Sequence, residues 1–305
     1  MEVYFGDEGL PAGLWEVRPR VEKLYVKGSL DLLPPEAGRR DDKPMSSRAE
    51  RSGVERSLFD RALAVVGSRR MTSYGERVVE KWTPVLVNAG VTVVSGMMYG
   101  VDQKAHLSCV ECGGRTVGVL GWGIDVGKEE RVIKQVLGAG GVIMSEWKDE
   151  QAQRWMFPYR NRVVVGLCSG VLVIEAGVKS GSLVTARLTE KWGRKLMAVP
   201  GPVTSSVSVG TNELIKSGKA VAVSSGEEVL EVMGWSTTPA CLRQSSPPNL
   251  GGERGVVLEI LNCEALTVDE LARKLGRKVE DLGVELSMLE LTGKVKQKGG
   301  KFYAD

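Results

Sequence analysis

One stretch, Ala64-Val-Val-Gly-Ser-Arg-Arg70, sets the terms for what the chain can fold into. A continuous apolar run that ends on a small polar turn suits a strand buried on both faces. Gly67 lets the backbone turn sharply at the strand end, and the amphipathic segment opened by Gly75 is a helix whose first N–H groups are unpaired. That geometry suits a phosphate. The remaining sequence has to decide between a dinucleotide, a small nucleotide and a polynucleotide.

Further apolar runs fall at Val91–Val94, Thr116–Leu120, Gly141–Met144, Val171–Ile174, Leu196–Val199 and Ala220–Val223. Helix-length segments separate most of them, and Gly90, Gly113, Gly138, Gly193 and Gly218 end many of those segments. Strands alternating with helices predict an α/β domain, a doubly wound and mainly parallel sheet covered on both faces. Pro84 is expected to kink the first helix. Arg162-Val-Val-Val-Gly-Leu-Cys168, a strand by propensity, is read as helix. Upstream, Leu24–Gly28 reads as a short strand, and Pro34 to Ser57, rich in charge, Pro and Ser, as a mobile loop.

The chain thus divides into an N-terminal extension over 1–61, with its insertion at about 34–57, a Rossmann-like domain over 62–236, a Pro/Ser/Thr-rich linker over 237–252 and a small unit over 253–305. In that unit Thr267-Val-Asp-Glu270 has capping-box spacing, Val279–Leu291 reads as a helix, and Lys294 to Tyr303 alternates around a Gly-Gly turn. Three short helices and a hairpin make a winged helix. Its third helix carries Glu280, Asp281, Glu285 and Glu290, which phosphates would repel, and only the wing lysines 294, 296, 298 and 301 suit DNA. The helix is accordingly expected to contact protein.

Several chemistries are argued against. Gly67-Ser-Arg69 lacks the second glycine of a dinucleotide fingerprint, and no Gly-x4-Gly-Lys-Ser/Thr loop is present. His106-x-x-Cys109-x-x-Cys112 has no second Cys or His cluster to complete four metal ligands, and His106, the only histidine, has no evident nucleophile to serve. The chain is therefore expected to need no cofactor or metal and to be a binding protein rather than an enzyme. The five cysteines read as reduced thiols, no apolar run approaches a membrane span, and a cytoplasmic location is expected.

Charge points to a polymer. The net charge is only +3, but Arg154 to Lys195 holds eight Lys or Arg against Glu175 and Glu190. Such a region is an electrostatic footprint, although a solvated helix face gives similar counts. Within it, Phe157-Pro-Tyr-Arg-Asn-Arg162 places Pro158 in a first helical turn, with Arg160 and Arg162 near the positive end of the helix. Paired arginines with Asn161 between them and an aromatic alongside suit a phosphodiester and a base; an ion pair inside the protein is the competing reading. Glu175-Ala-Gly-Val-Lys-Ser-Gly-Ser182 joins a strand to a helix, and Ser180-Gly181-Ser182 offers N–H groups and hydroxyls either to a phosphate or simply to the helix.

Together these stretches resemble the DNA-processing protein A (DprA, or Smf) family. The matching residues are Gly67-Ser-Arg69 with Thr72 and Tyr74-Gly75; Ser95-Gly96, Gly100-Val-Asp102 and Ala105-His106; Gly113-Gly-Arg-Thr116; Ser145-Glu146; Phe157-Pro with Arg160-Asn-Arg162; Glu175, Ser180-Gly-Ser182 and Thr185-Ala186; Pro200-Gly201; and Gly210-Thr-Asn212 with Leu214-Ile215 and Gly218. The resemblance implies an extended Rossmann domain that binds single-stranded DNA without strict sequence preference, protects incoming strands in natural transformation and helps load a RecA-type recombinase. It also implies a homodimer formed through that domain. Departures are Gly96-Met97-Met98, expected to crowd the turn after the second strand, Gly127-Lys128 in place of a Tyr-Pro, the missing N-terminal helical domain and the 34–57 insertion.

The expected DNA contacts are Gly67, Ser68 and Arg69; Ser95 and Gly96; Phe157, Arg160, Asn161 and Arg162; and Lys179, Ser180, Gly181, Ser182 and Arg187, with Phe157 or Tyr159 as a stacking face. The enzyme alternative is a nucleotide phosphoribohydrolase resembling the lysine decarboxylase-like family, whose paired glycines and closing glutamate are missing from 175–182. A third reading, a transcription factor led by the winged helix, is opposed by the acidic helix.

Overall fold

The computed structural model describes residues 2–4, 10–30, 58–126 and 130–235 and, nearer the C-terminus, 257, 260–261, 264, 266–275, 279–291 and 295–304. The 34–57 loop, the 237–252 linker, Gly127-Lys128 and Lys294 lie outside these residues. By internal contacts the chain forms two compact units, Met1–Thr237 and Thr238–Asp305.

In the large unit, β1 (Glu2–Tyr4), α1 (Ala12–Glu16) and β2 (Lys23–Lys27) precede an alternating series. The series runs β3 (Ala62–Val66), α2 (Ser73–Asn88), β4 (Thr92–Gly96), α3 (Val101–Glu111), β5 (Thr116–Val119), α4 (Arg131–Gly138) and β6 (Val142–Ser145). It continues through α5 (Met156–Leu167), β7 (Gly170–Val173), α6 (Ser182–Lys191), β8 (Lys195–Ala198), α7 (Val209–Lys216), β9 (Val221–Ala222) and α8 (Gly226–Met233). Each apolar run of the series is a strand, and Arg162–Leu167 is helical.

One nine-stranded sheet results, in the order β1-β2-β6-β5-β4-β3-β7-β8-β9. The seven strands from β6 to β9 are parallel, while β2 adds antiparallel to β6 and β1 to β2. All five residues of β3 are buried. Ala62, Ala64 and Val66 face a core shared with α1 and α5, whereas Leu63 and Val65 face one shared with α2, α3 and α8. A strand apolar on both faces therefore binds both layers. Strand order reverses at β3, whose neighbours are β4 on one side and β7 on the other, with Ala64 opposite both Val94 and Val171. That reversal is a topological switch point, where a crevice opens beyond the carboxyl ends of the strands.

The α2 helix runs on through Pro84 as one element to Asn88, and the Thr83 hydroxyl next to it donates to the Val79 carbonyl at 2.7 Å. Gly138 is the last residue of α4, and the left-handed turn falls on Gly140 (φ 78°). The crowding expected after β4 is relieved by direction. Met97 turns into the core, where Gly118 leaves room for its sulfur, and Met98 is only half-buried.

In the small unit, α9 (Val268–Leu275) and α10 (Val279–Leu291) precede a hairpin of β10 (Val295–Lys298) and β11 (Lys301–Ala304). Gly299 and Gly300 make its turn, both at positive φ. The capping box is present: Glu270 accepts from Thr267 N at 2.8 Å, and Thr267 Oγ1 accepts from Glu270 N at 3.3 Å. Leu266 pairs with Phe302, tying the segment before α9 to the hairpin over a core that includes Leu271, Leu282 and Leu286.

Candidate nucleic-acid interface

The turn after β3 does present a helix start, but the anion there belongs to the protein. The carboxylate of Glu175, 1% exposed just beyond β7, accepts from the Thr72 backbone N–H at 2.9 Å and from the Thr72 hydroxyl at 2.5 Å. Thr72 is the N-cap of α2. A Cβ on Gly75 would lie 2.7 Å from that carboxylate, so the glycine makes room for Glu175. The expectation that α2 offers its N-terminus to a phosphate is corrected: the position is filled.

The open space lies beside it, between the Gly67-Ser-Arg turn, the N-terminal part of α5 and the 177–182 loop. It is a groove of about 800 Å³ at the switch point. From the first turn Gly67, Ser68, Arg69 and Arg70 line it, and from the end of β4 Gly96 and Met98. Helix α5 contributes Phe157, Pro158, Arg160 and Asn161, while the loop and start of α6 add Lys179, Ser180, Gly181, Ser182 and Arg187. Five cations, Arg69, Arg70, Arg160, Lys179 and Arg187, thus face one carboxylate, Asp102. The Arg69 guanidinium lies 5.2 Å from the Phe157 ring centre, a cation over an aromatic face. Ser180 and Ser182 hydroxyls are 2.7 Å apart, and Ser180 Oγ accepts from the Ser182 N–H at 3.4 Å, at the start of α6.

Arg160 is the buried member of the set. It is 2% exposed, donates to the Val119 carbonyl, and its Nε meets no protein acceptor. Burial lowers its guanidinium to about 10, with Asp102 opposing the shift and Arg69 adding to it. Burial likewise pushes the Asp102 carboxyl up to about 6, against the pull of Arg160, the Met98 backbone, Ser95 and Arg69. Gly96 accommodates both: a Cβ there would lie 2.2 Å from Arg160 Nη1 and 2.5 Å from Asp102 Oδ2.

Twelve of the fourteen expected contact residues therefore line one groove. Ser95 and Arg162 do not. Ser95 is wholly buried beneath it, its hydroxyl donating to Val65 O at 2.6 Å. Arg162 turns away, 2% exposed, gripping both oxygens of Glu146 and donating through Nε to Pro19 O at 2.9 Å. Here the competing reading, an internal ion pair, describes the geometry. Pro158 does lie in the first turn of α5, but that helix begins at Met156, so both arginines fall in its second turn and point inward. Tyr159 packs against Trp147, Trp155 and Arg162 and does not line the groove.

The His-x-x-Cys-x-x-Cys stripe is accounted for by hydrogen bonding. His106 is fully buried, with Nε2 2.9 Å from Gly96 O and Nδ1 2.7 Å from Thr116 Oγ1. Burial holds it down to about 4, hence neutral, and a carbonyl can only accept, so the proton sits on Nε2. Among the described residues no group of three or more His, Cys, Asp or Glu is placed to hold a metal ion. In the sequence Asp102 looks like an ordinary acidic residue in a first helical turn; only the β4–α3 connection sets it against Arg160.

The fold places the large unit in the class of doubly wound α/β proteins, with a cationic groove at the switch point. Comparison narrows the class. A family described as DNA recombination-mediator protein A matches residues 51–234, and the DprA winged helix domain matches residues 243–301. The chain is 34% identical to Protein Smf of Escherichia coli over 88% of its own length and 74% of that protein's. It is 35% identical to DNA processing protein DprA of Streptococcus pneumoniae over 73% and 71% respectively. The chain belongs to the DprA/Smf family.

Solved structures agree on the fold. The X-ray structure of the S. pneumoniae DprA superposes with a TM-score of 0.63 at 33% identity, covering 76% of this chain and 73% of that one. DNA processing protein A of Helicobacter pylori, a protein described by its single-stranded DNA binding mode, superposes with a TM-score of 0.59 at 24% identity over 76% and 95%. Among the described residues no helix is long and apolar enough to cross a membrane.

Proposed function

We propose that the chain binds single-stranded DNA in the switch-point groove, with its backbone phosphates on Arg69, Arg70, Arg160, Lys179 and Arg187 and a base against Phe157. The observation that carries this reading is the convergence of five cations and one aromatic ring on a single groove. The buried Arg160 has Asp102 beside it but leaves its Nε without an acceptor, a donor that a phosphate oxygen would satisfy. The Ser180 and Ser182 hydroxyls at the start of α6 supply further donors. No base-reading edge of Asn or Gln other than Asn161 lines the groove, so contacts of this kind position a strand without specifying its sequence.

Family membership extends the reading to a cytoplasmic mediator in transformation and recombination that shields the strand and passes it to a RecA-type recombinase. Its pairing into a homodimer through the large unit belongs to the same proposal. Competition among oligothymidylate, duplex and mononucleotide for the protein tests the core of it. Single strand should compete best; duplex or mononucleotide competing equally well would overturn it, and release of free base from a nucleoside monophosphate would favour the phosphoribohydrolase instead.

A further inference from the structure

Helix α5 carries a second aromatic feature on the side turned away from the groove. Trp155 and Tyr159, one turn apart, share a helix face, and Trp147, two residues beyond the carboxyl end of β6, packs against both. The three ring centres lie 5.8 to 6.0 Å apart, so each ring holds the others. Trp155 is nevertheless 53% exposed. Its indole N–H is already used, donating to Gln153 Oε1 at 2.7 Å, so what it shows to solvent is ring. Beneath the cluster Arg162 lies 3.9 Å from the centre of the Tyr159 ring with its charge matched by Glu146. The cluster is thus rigid, apolar and neutral underneath.

We infer that Trp155, braced by Trp147 and Tyr159, is a second nucleobase-binding platform, on which an unpaired base stacks after the strand leaves the groove. This rests on the single-strand reading of the groove. Continuity selects the occupant. Pro158 lines the groove and is three residues from Trp155, less than one turn along α5, so the platform begins within about 5 Å of helix rise from the groove's edge. Arg154, exposed and next to Trp155 in sequence, offers a cation to the linking phosphate. A pre-braced ring loses little freedom when a base stacks on it, and stacking of this kind tolerates any sequence.

The test compares the full chain with Trp155→Ala, Trp155→Phe and Arg69→Ala on oligothymidylates of about 5 and about 15 nucleotides, near the two ends of the range that such grooves occupy. Trp155→Ala should weaken binding of the longer strand by about 5- to 100-fold, the value of one stacked base, and leave the shorter one unchanged. Trp155→Phe should restore most of the loss, and Arg69→Ala should weaken both lengths. Equal affinity of Trp155→Ala and the unmodified chain for the longer strand overturns the platform alone, as does an equal loss at both lengths, which would make Trp155 a support of the groove. Failure of the unmodified chain to bind either length overturns the groove reading and the platform with it.

Discussion

Glu175 closes the start of α2 by accepting two hydrogen bonds from Thr72, one from its backbone N–H and one from its hydroxyl. The bond joins the carboxyl ends of β3 and β7 across the switch point, and so fixes one wall of the groove. Replacing Glu175 by Ala leaves both donors of the half-buried Thr72 without their protein partner, at up to about 1–3 kcal/mol for each orphaned group. Urea unfolding should show that loss, with Glu175→Gln milder because one acceptor oxygen remains. Gly75→Ala should cost about 1–3 kcal/mol by forcing the carboxylate aside. A neutral Gly75→Ala would mean that the helix start is loose enough for Glu175 to shift at no cost.

Arg162 and Arg160 should behave differently although only Asn161 separates them. Arg162→Ala leaves Glu146, 12% exposed in its side chain, buried without its partner, and is expected to cost about 3–5 kcal/mol of stability. Its effect on oligonucleotide binding should be no more than loss of folded protein explains. Thermal melts beside filter binding separate the two; a stable Arg162→Ala protein that no longer binds DNA would return Arg162 to the interface.

This pair also shows what the sequence could and could not reveal. The strands were legible because a run such as Ala62–Val66 is short, apolar at every position and closed by a Gly-Ser turn, the pattern of a strand covered on both faces. The groove was legible as chemistry, since glycine, serine and arginine at several strand ends point to phosphate wherever the ends converge. Direction was not legible. Two residues along a helix turn a side chain by about 200°, so Arg160 and Arg162 leave α5 on nearly opposite sides, and the choice between them depends on Glu146, on another element. Glu175 was hidden for the same reason: its partner Thr72 is distant in sequence, and nothing local marks it as a cap.

Asp102 and His106 should bend the pH dependence of stability in opposite directions. Asp102 is held up from 3.8 to about 6, so between these values the folded chain binds more proton there than the unfolded chain, and its contribution to stability falls as pH rises. His106 is held down from 6.5 to about 4, so its contribution is complete above 6.5 and is lost as pH falls towards 4. Each shift is worth about 3 kcal/mol, and the two nearly cancel. Relative to the unmodified chain, Asp102→Asn should gain about 3 kcal/mol on going from about pH 4 to about pH 7, and His106→Gln should lose a similar amount. Urea midpoints across that range measure it; variant curves parallel to the unmodified one would refute the assignment.

The salt dependence of binding should report a polymer rather than a nucleotide. Single strands release about 0.7 counterion per phosphate neutralised, so three to five of the groove cations in contact give a slope of log affinity on log salt of about −2 to −3.5. A mononucleotide brings one phosphate group and cannot reach that slope. Arg69→Ala should make the slope shallower by about 0.7 and weaken binding to all sequences alike, because Arg69 meets the backbone while lying over Phe157. Its guanidinium is exposed, so the fold should be unaffected and the change should be read in affinity alone. A slope near zero, or a loss confined to one base composition, would mean that the groove reads bases rather than tracking phosphates.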